Sequence, residues 1–366
     1  MLRETMVLGG VLPDTAAVNV LVVVAASGAI WVGSGWLEQA AEGLSTHYGL
    51  PPVVQGTVVV AIGSSFPELA SVVVTALAGV FDMGVGAIVG SAIFNVLVVP
   101  ALSGLATDDD LDSSRTIVYK EAQFYMLAVS VLVITFALAV IYEPIALATG
   151  DAGGTADTVA AAGTAGASLT GSITRPLAVV PLFVYGLYIF IQWQDTGDYE
   201  AETGADVAVL REWGRLAAGL LVILASVEAL VSAIESLGHA FGIPEFLAGM
   251  TIVAAATSLP DTLVSVRSAR DDNSATSLGN VLGSNTFDLL VVIPVGVLIV
   301  GAVPVNFSTA VPMFAVLTLA TVLLFGILRT DLALTTLESY ALLVAYLLFI
   351  AWVVAETAGV TRILPA

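Results

Sequence analysis

Gly63-Ser64-Ser65-Phe66-Pro67-Glu68, followed further on by Gly90-Ser91-Ala92-Ile93-Phe94-Asn95, has a second copy half a chain away. That copy reads Ala256-Thr257-Ser258-Leu259-Pro260-Asp261, then Gly283-Ser284-Asn285-Thr286-Phe287-Asp288. The spacing from Glu68 to Asn95 equals that from Asp261 to Asp288. Outward from these motifs the match continues at one constant offset. Gly49-Leu50-Pro51 pairs with Gly242-Ile243-Pro244, Gly56 with Gly249, Val60-Ala61 with Val253-Ala254, and Gly86 with Gly279. Small residues recur by chance in apolar helices; a fixed offset that keeps both prolines and both acids marks an internal repeat.

The setting of these motifs is a membrane. The chain has 366 residues, 58% of them hydrophobic, and a mean hydropathy of +1.00, far too apolar for a soluble domain. Nearly uncharged runs recur along its length, each long enough to cross a bilayer as a helix. Strict two-residue alternation is missing, which argues against a membrane β-barrel. Cysteine is absent, which excludes disulfides and thiolate metal sites. Residues 1–13 do not resemble a cleaved signal. Net charge is −20, from 30 acids against 10 basic residues, and the acids gather in loops such as Asp108-Asp109-Asp110 and Asp271-Asp272. An acidic surface of this kind is halophile-like, and it also concentrates cations. Nothing points to nucleic acid; the expected partners are the lipid bilayer and inorganic cations.

Ten spans are expected, near 16–40, 52–79, 84–105, 118–142, 175–193, 213–236, 245–269, 276–301, 307–328 and 337–357. Residues 148–172 read as a flexible Ala/Gly/Thr-rich loop. Residues 194–212 read as a short acidic cytoplasmic linker between a first half, 1–193, and a second, 213–366. Cytoplasmic loops collect Lys and Arg. Arg115, Lys120, Arg211, Arg215, Arg267, Arg270 and Arg329 follow odd-numbered spans, whereas even-numbered loops and the termini hold Arg3, Arg175 and Arg362. Both termini are therefore expected outside the cell membrane. An odd number of spans per half makes the second half run opposite to the first. The expected fold is an all-α polytopic membrane protein of ten helices in two inverted five-helix repeats, with discontinuous helices at mid-membrane. The motif pairs lie within 56–100 and 249–293.

Pro67 cannot donate a backbone hydrogen bond and crowds the carbonyl of Gly63; Pro260 does the same to Ala256. Broken backbone at membrane depth is tolerated where it is buried in protein or lines a wet cavity. Glu68 shares a helix face with Ser64 and Ser65, and Asp261 with Thr257 and Ser258. Ser91 and Asn95 share a second face, as do Ser284 and Asp288, while Gly86, Gly90, Gly279 and Gly283 permit close helix packing. A mid-membrane carboxylate costs about 3 kcal/mol on insertion scales, and no Lys or Arg lies near the motif centres to offset it. A bound cation or proton is the remaining answer. The ligand set is carboxylate, hydroxyl, amide and freed carbonyl, without sulfur; His47 and His239 lie near loop ends. All-oxygen ligation suits Ca²⁺ or Na⁺ better than zinc or copper. Three carboxylates can be neutralised by Ca²⁺, by several Na⁺ ions or by protons, and exclusive occupancy by one set or the other is the physical basis of antiport.

These motifs resemble the two α-repeats of the calcium/cation antiporter superfamily, the Na⁺/Ca²⁺ exchangers. The resemblance implies exchange of Ca²⁺ for Na⁺ by alternating access, with spans 1 and 6 moving against a core of spans 2, 3, 7 and 8. It implies four clustered ion sites. Glu68 and Asp261 would be the acids shared by Ca²⁺ and Na⁺, and the Ser64 and Thr257 carbonyls would complete the Ca²⁺ site. Ser65, Ser91, Ser258 and Ser284, with the Ala61 and Ala254 carbonyls, would serve outer Na⁺ sites. Asn95 and Asp288 would flank a central site for water or an ion. Ala256 departs from the glycine usual in that motif, and Asp261 is a methylene shorter than the Glu of many prokaryotic relatives. The Asn95/Asp288 pattern also resembles K⁺-dependent exchangers, so K⁺-dependent or Ca²⁺/H⁺ exchange is the nearest alternative. The 194–212 linker is too short for a large Ca²⁺-sensing domain.

An intramembrane aspartyl protease built on Asp261 and Asp288 is a different class of reading, but the first copy offers Glu68 and Asn95 in their place. A passive channel is another. Neither is favoured, so the chain is expected not to be an enzyme. Glu228, in span 6, is expected to face a wet cavity.

Overall fold

The computed structural model describes residues 6–7, 12–13, 15–49, 59, 61–107, 109–115, 117–144, 170–194 and 208–361. Leu50, Pro51, Gly56, Val60, Arg3, Arg362 and most of both linkers lie outside these residues, as does the start of the second expected span.

Helices dominate. A short ribbon, β1 (Met6–Val7) with β2 (Leu12–Pro13), precedes α1 (Ala16–His47), which Thr15 caps by accepting from Val18 N–H at 3.4 Å. The first motif pair lies on α2 (Ala61–Ser64), α3 (Phe66–Ala78), α4 (Phe81–Leu97) and α5 (Val99–Leu105). After β3 (Leu111–Asp112), a π-helical turn Ile117–Glu121 leads into α6 (Ala122–Tyr142). The first half closes with β4 (Thr170–Thr174) and α7 (Arg175–Gln194).

The second half starts with α8 (Val209–Phe241). The second motif pair occupies α9 (Glu245–Ala248), a π turn Gly249–Val253, α10 (Ala254–Thr257), α11 (Leu259–Arg270), α12 (Ser274–Phe287), a π turn Asp288–Val292 and α13 (Ile293–Val300). The chain ends with β5 (Ala302–Asn306), α14 (Phe307–Arg329), β6 (Ala333–Leu334) and α15 (Thr336–Thr357). Among the described residues, 8 helices are long and apolar enough to cross a membrane, or 9 if the pair Glu245–Thr257 and Leu259–Arg270, bent by 43°, counts as one span. The chain is thus a multi-pass membrane protein.

Burial sorts these helices into core and periphery. In the apolar window of Phe81–Leu105, 89% of residues are buried, and in that of Ser274–Val300, 72%, against 28% for α1 and 22% for α15. The two helices carrying the downstream motifs therefore form the centre. A Cβ on Gly86 would fall 2.2 Å from the Phe246 carbonyl oxygen, and one on Gly90 2.0 Å from that of Met250, so α4 meets the second copy backbone to backbone. Gly249 reciprocates against the Met83 carbonyl. At the periphery α1 runs along α8, crossing where Gly33 and Gly219 each abut the other's carbonyl oxygen. Gly49 and Gly242, matched in the two copies, adopt positive φ of 64° and 68° after these long helices, the conformation in which glycine ends a helix without strain.

Three details depart from the sequence reading. The loop assigned to 148–172 ends in structure: residues 170–172 belong to β4, which pairs antiparallel with β5 in the register Thr170↔Asn306 to Thr174↔Ala302. Ile173, Val303 and Val305 point inward and are buried, which pins a ribbon that local composition disguises. Among the described residues the fold is accordingly helical with three short ribbons, the third joining Leu111 to Leu334, rather than purely helical. Finally, α1 and α8 extend beyond the expected 16–40 and 213–236, and Leu44 and Ser45 near the end of one, with Leu237 and Gly238 near the end of the other, are still buried.

Candidate cation site

The breaks fall where the prolines require. Pro67 and Pro260 each stand in the first turn of a new helix, α3 and α11, where a missing N–H costs little. Ser65 and Ser258 are the non-helical joints, and their own carbonyls start the following helices by accepting from Leu69 and Thr262 N–H at 3.1 Å each. Glu68 and Asp261 therefore emerge in the first turn of helices whose N-terminal N–H dipoles favour negative charge.

Glu68, Asp261, Asp288, Asn95, Ser64, Ser65, Ser91, Thr257, Ser258 and Ser284 are all fully buried, each 0% exposed. They come together from both halves. Ser91 Oγ donates to Glu68 Oε1 at 3.2 Å and is 2.7 Å from Ser258 Oγ, which is itself 3.5 Å from the same carboxylate oxygen. Asn95 Nδ2 donates to Asp261 Oδ2 at 2.8 Å and to Asn285 Oδ1 at 3.1 Å. Asp288 lies within electrostatic reach of Glu68 and Asp261, with Ser65 facing it.

The unfilled valences are oxygens. Among the described residues, Glu68 Oε2, Asp261 Oδ1, both carboxylate oxygens of Asp288, Asn95 Oδ1 and Ser65 Oγ are buried without a hydrogen-bond partner. A buried carboxylate oxygen with no donor is costly, and a cation is the ligand that an acceptor-only set would recruit. Among the described residues no three His, Cys, Asp or Glu side chains form a metal-binding group by themselves. An ion at this place would need the hydroxyl, amide and carbonyl oxygens as well.

Some of these residues also bond within their own helices. Thr257 Oγ1 donates to the carbonyls of Val253 and Ala254 at 3.2 and 3.3 Å, and Ser284 Oγ to that of Val281 at 3.3 Å. The Ala254 carbonyl also accepts from Ser258 N–H at 3.0 Å, so one of its lone pairs is already used in the helix. Ala61 opens α2, and its surroundings lie outside the described residues. Glu228 is exposed on α8 and takes no part in the cluster, and His239 is likewise exposed.

Two residues belong to the cluster without having been expected. Asn280 accepts from Ser64 Oγ at 3.4 Å and donates to Ser265 Oγ at 3.2 Å, bridging the copies. Asn285 donates to the Ala92 carbonyl at 3.2 Å while accepting from Asn95. At the repeat offset Asn280 and Asn285 face Ala87 and Ala92 in the first copy, so a search for matched pairs passes over them. The copies differ in backbone too. Asp288 opens a π-helical turn, an irregularity frequent at functional sites, whereas Asn95 sits in the regular helix α4.

The sodium/calcium exchanger protein family matches this chain over residues 18–194 and 212–355. An uncharacterized membrane protein of Methanocaldococcus jannaschii, MJ0091, is 27% identical over 300 residues, covering 81% of this chain and 85% of that protein. The human sodium/potassium/calcium exchanger 5 is 43% identical over a short stretch of 53 residues, 14% of this chain and 11% of that one. In three dimensions the chain resembles the sodium-calcium exchanger NCX_Mj, soaked with Na⁺ and Sr²⁺, with a TM-score of 0.62 at 22% identity, covering 92% of this chain and 99% of that one. At that identity the likeness speaks for the fold.

Proposed function

This chain belongs to the sodium/calcium exchanger family, and we propose that it exchanges Ca²⁺ for Na⁺ across the cell membrane by alternating access. As a member of an antiporter family it is a transporter of inorganic cations and not an enzyme. The observation that carries the reading is the convergence of Glu68, Asp261 and Asp288, with Asn95, on one buried place whose unpartnered atoms are oxygens.

Glu68 and Asp261 are the acids that Ca²⁺ and Na⁺ share in turn. Ser64 and Thr257 supply backbone carbonyls to Ca²⁺. Ser65, Ser91, Ser258 and Ser284, with the Ala61 and Ala254 carbonyls, serve flanking Na⁺ ions, and Asp288 and Asn95 border the central position. Binding of one Ca²⁺ or of several Na⁺ ions relieves the same buried negative charge, so the two sets exclude each other. The chain is organised as two inverted halves, 1–193 and 213–366, of five spans each, joined by an acidic cytoplasmic linker with both termini outside. The backbone contacts of Gly86 and Gly90 with one motif copy and of Gly249 with the other support that pairing of the halves.

K⁺-dependent exchange is the second reading. Two observations favour it: both oxygens of Asp288 lack hydrogen-bond partners among the described residues, and the short match to a sodium/potassium/calcium exchanger is the more identical one. Ca²⁺ uptake into reconstituted vesicles, with Na⁺, K⁺ and pH varied one at a time, tests both. Uptake indifferent to an opposing Na⁺ gradient refutes Na⁺/Ca²⁺ exchange, and uptake abolished by removing K⁺ selects the second reading.

A further inference from the structure

One carboxylate near the site belongs to neither motif pair. Glu38 lies on α1 against the break of the first copy: a Cβ on Gly63 would stand 3.9 Å from Glu38 Cγ and 4.0 Å from its Cα. The residue is half-buried, and its Oε1 is enclosed without a hydrogen-bond partner among the described residues. The charges bearing on it are Asp261 and Arg267 of α11 and Glu42 of α1. The ion pairs found among the described residues do not join Glu38 to Arg267. It is thus a carboxylate on a neighbouring helix, beside the first break and within electrostatic reach of Asp261, with one oxygen enclosed and unsatisfied among the described residues.

Its level in the membrane follows from helix geometry. At 1.5 Å per residue Glu38 is about 14 Å from the end of α1 at His47 and about 33 Å from its start at Ala16. Arg267 lies beyond Asp261 toward the C-terminal end of α11. Glu38 thus lies beside the Asp261–Arg267 stretch of α11, and the expected topology puts Arg267 and the end of α1 at the same membrane face. The second half has no such group. At the repeat offset Glu38 corresponds to Val231, which is 2% exposed in the apolar packing of α8. The neighbouring acid is matched, Glu42 by Glu235, so the inequality is confined to this position.

We propose that Glu38 is a specificity-determining carboxylate of one access route, drawing cations, divalent ahead of monovalent, toward the buried site from the face at which α1 ends. The proposal rests on the exchange reading above. A fixed negative charge in a narrow path raises the local cation concentration exponentially in the ion's charge, so the enrichment of a divalent ion is the square of that of a monovalent one. With a valine at the matching position, the opposite route lacks this enrichment.

The test compares the two faces of one protein. Glu38→Gln in vesicles of known sidedness is expected to raise the KM for Ca²⁺ about three- to tenfold at the α1-end face, to raise that for Na⁺ by less, and to leave the opposite face as its own control. Glu38→Asp restores the wild-type value. Because the chain contains no cysteine, Glu38→Cys gives a second arm that acts after folding and reconstitution. An anionic sulfonatoethyl thiol reagent lowers the KM at that face, and a cationic trimethylammonium reagent raises it. Equal shifts at both faces, or reagents of opposite charge acting alike, overturn the assignment of Glu38. A wild-type protein without Na⁺-driven Ca²⁺ flux overturns the exchange reading first and this proposal with it.

Discussion

Asn95 and Asp261, which come from opposite halves of the chain, are joined by a 2.8 Å hydrogen bond from Nδ2 to Oδ2. Only the amide nitrogen can donate to a carboxylate, so this contact fixes the side-chain orientation of Asn95 and leaves its Oδ1 buried with no hydrogen-bond partner among the described residues. An amide thus does two things: it holds one acid of the second copy, and it presents an oxygen from the first.

Glu68→Gln should abolish Na⁺-driven Ca²⁺ uptake, by 100-fold or more on the order of a lost first-rank charge-assisted ligand. The substitution keeps size and keeps a carbonyl oxygen for Ser91 to donate to, so the folded protein should survive. Uptake within a few-fold of wild type would remove Glu68 from the site.

Cation binding should stabilise the protein by mass action. Ca²⁺ at 100 times its Kd contributes about 2.7 kcal/mol to stability, visible as an upward shift in thermal unfolding. Asp261→Asn should lose that shift, whereas Glu228→Gln, at an exposed position outside the cluster, should keep it. Loss of the shift in Glu228→Gln, or its survival in Asp261→Asn, contradicts the placement.

Asp288→Asn makes the second copy match Asn95 of the first. It removes one charge from a place where neither carboxylate oxygen has a hydrogen-bond partner among the described residues, so one fewer monovalent cation is needed for neutrality. The Na⁺ dependence of uptake should become less steep, or any K⁺ dependence should vanish. A Hill slope and K⁺ response identical to wild type would count against Asp288 as a site acid.

Close packing gives a stability prediction with an internal control. A methyl group at Gly90 would lie 2.0 Å from the Met250 carbonyl oxygen, so Gly90→Ala must push two central helices apart. Gly28→Ala, with nothing within 4 Å, should be neutral. Thermal unfolding in detergent should show a loss of roughly 1–3 kcal/mol or more for Gly90→Ala alone.

The buried polar group at the junction of α6 and α7 should matter for folding and little for ions. Glu121 accepts from Tyr188 Oη and Gln192 Nε2, both at 2.8 Å, with Lys120 donating to Gln192. Glu121→Leu leaves those donors stranded and should cost about 3–5 kcal/mol, while the KM for Ca²⁺ in the folded fraction stays unchanged. A changed KM with unchanged stability would reverse that assignment.

Much of this was readable in the chain. The proline after each serine-rich turn announces a broken helix, and the acid after each proline announces what the break is for. Duplication made both legible, because two weak signals at one offset reinforce each other. The same filter hid Asn280 and Asn285, whose counterparts are alanines, and Glu38, whose counterpart is valine. The β4–β5 ribbon escaped for another reason. Its strands are far apart in sequence, and only the burial of Ile173, Val303 and Val305 selects their register. The π turn at Asp288 leaves no mark in composition, since it depends on where the helix must turn its acid rather than on which residues build it.

The crossing of α1 and α8 at Gly33 and Gly219 bears on leakage. Two helices in backbone contact have no side-chain cushion between them, so neither can shift far without carrying the other. In the alternating-access cycle proposed above, α1 and α8 would therefore have to travel as one body, and the stiffness of that single seam would couple whatever each helix covers in its own half of the chain.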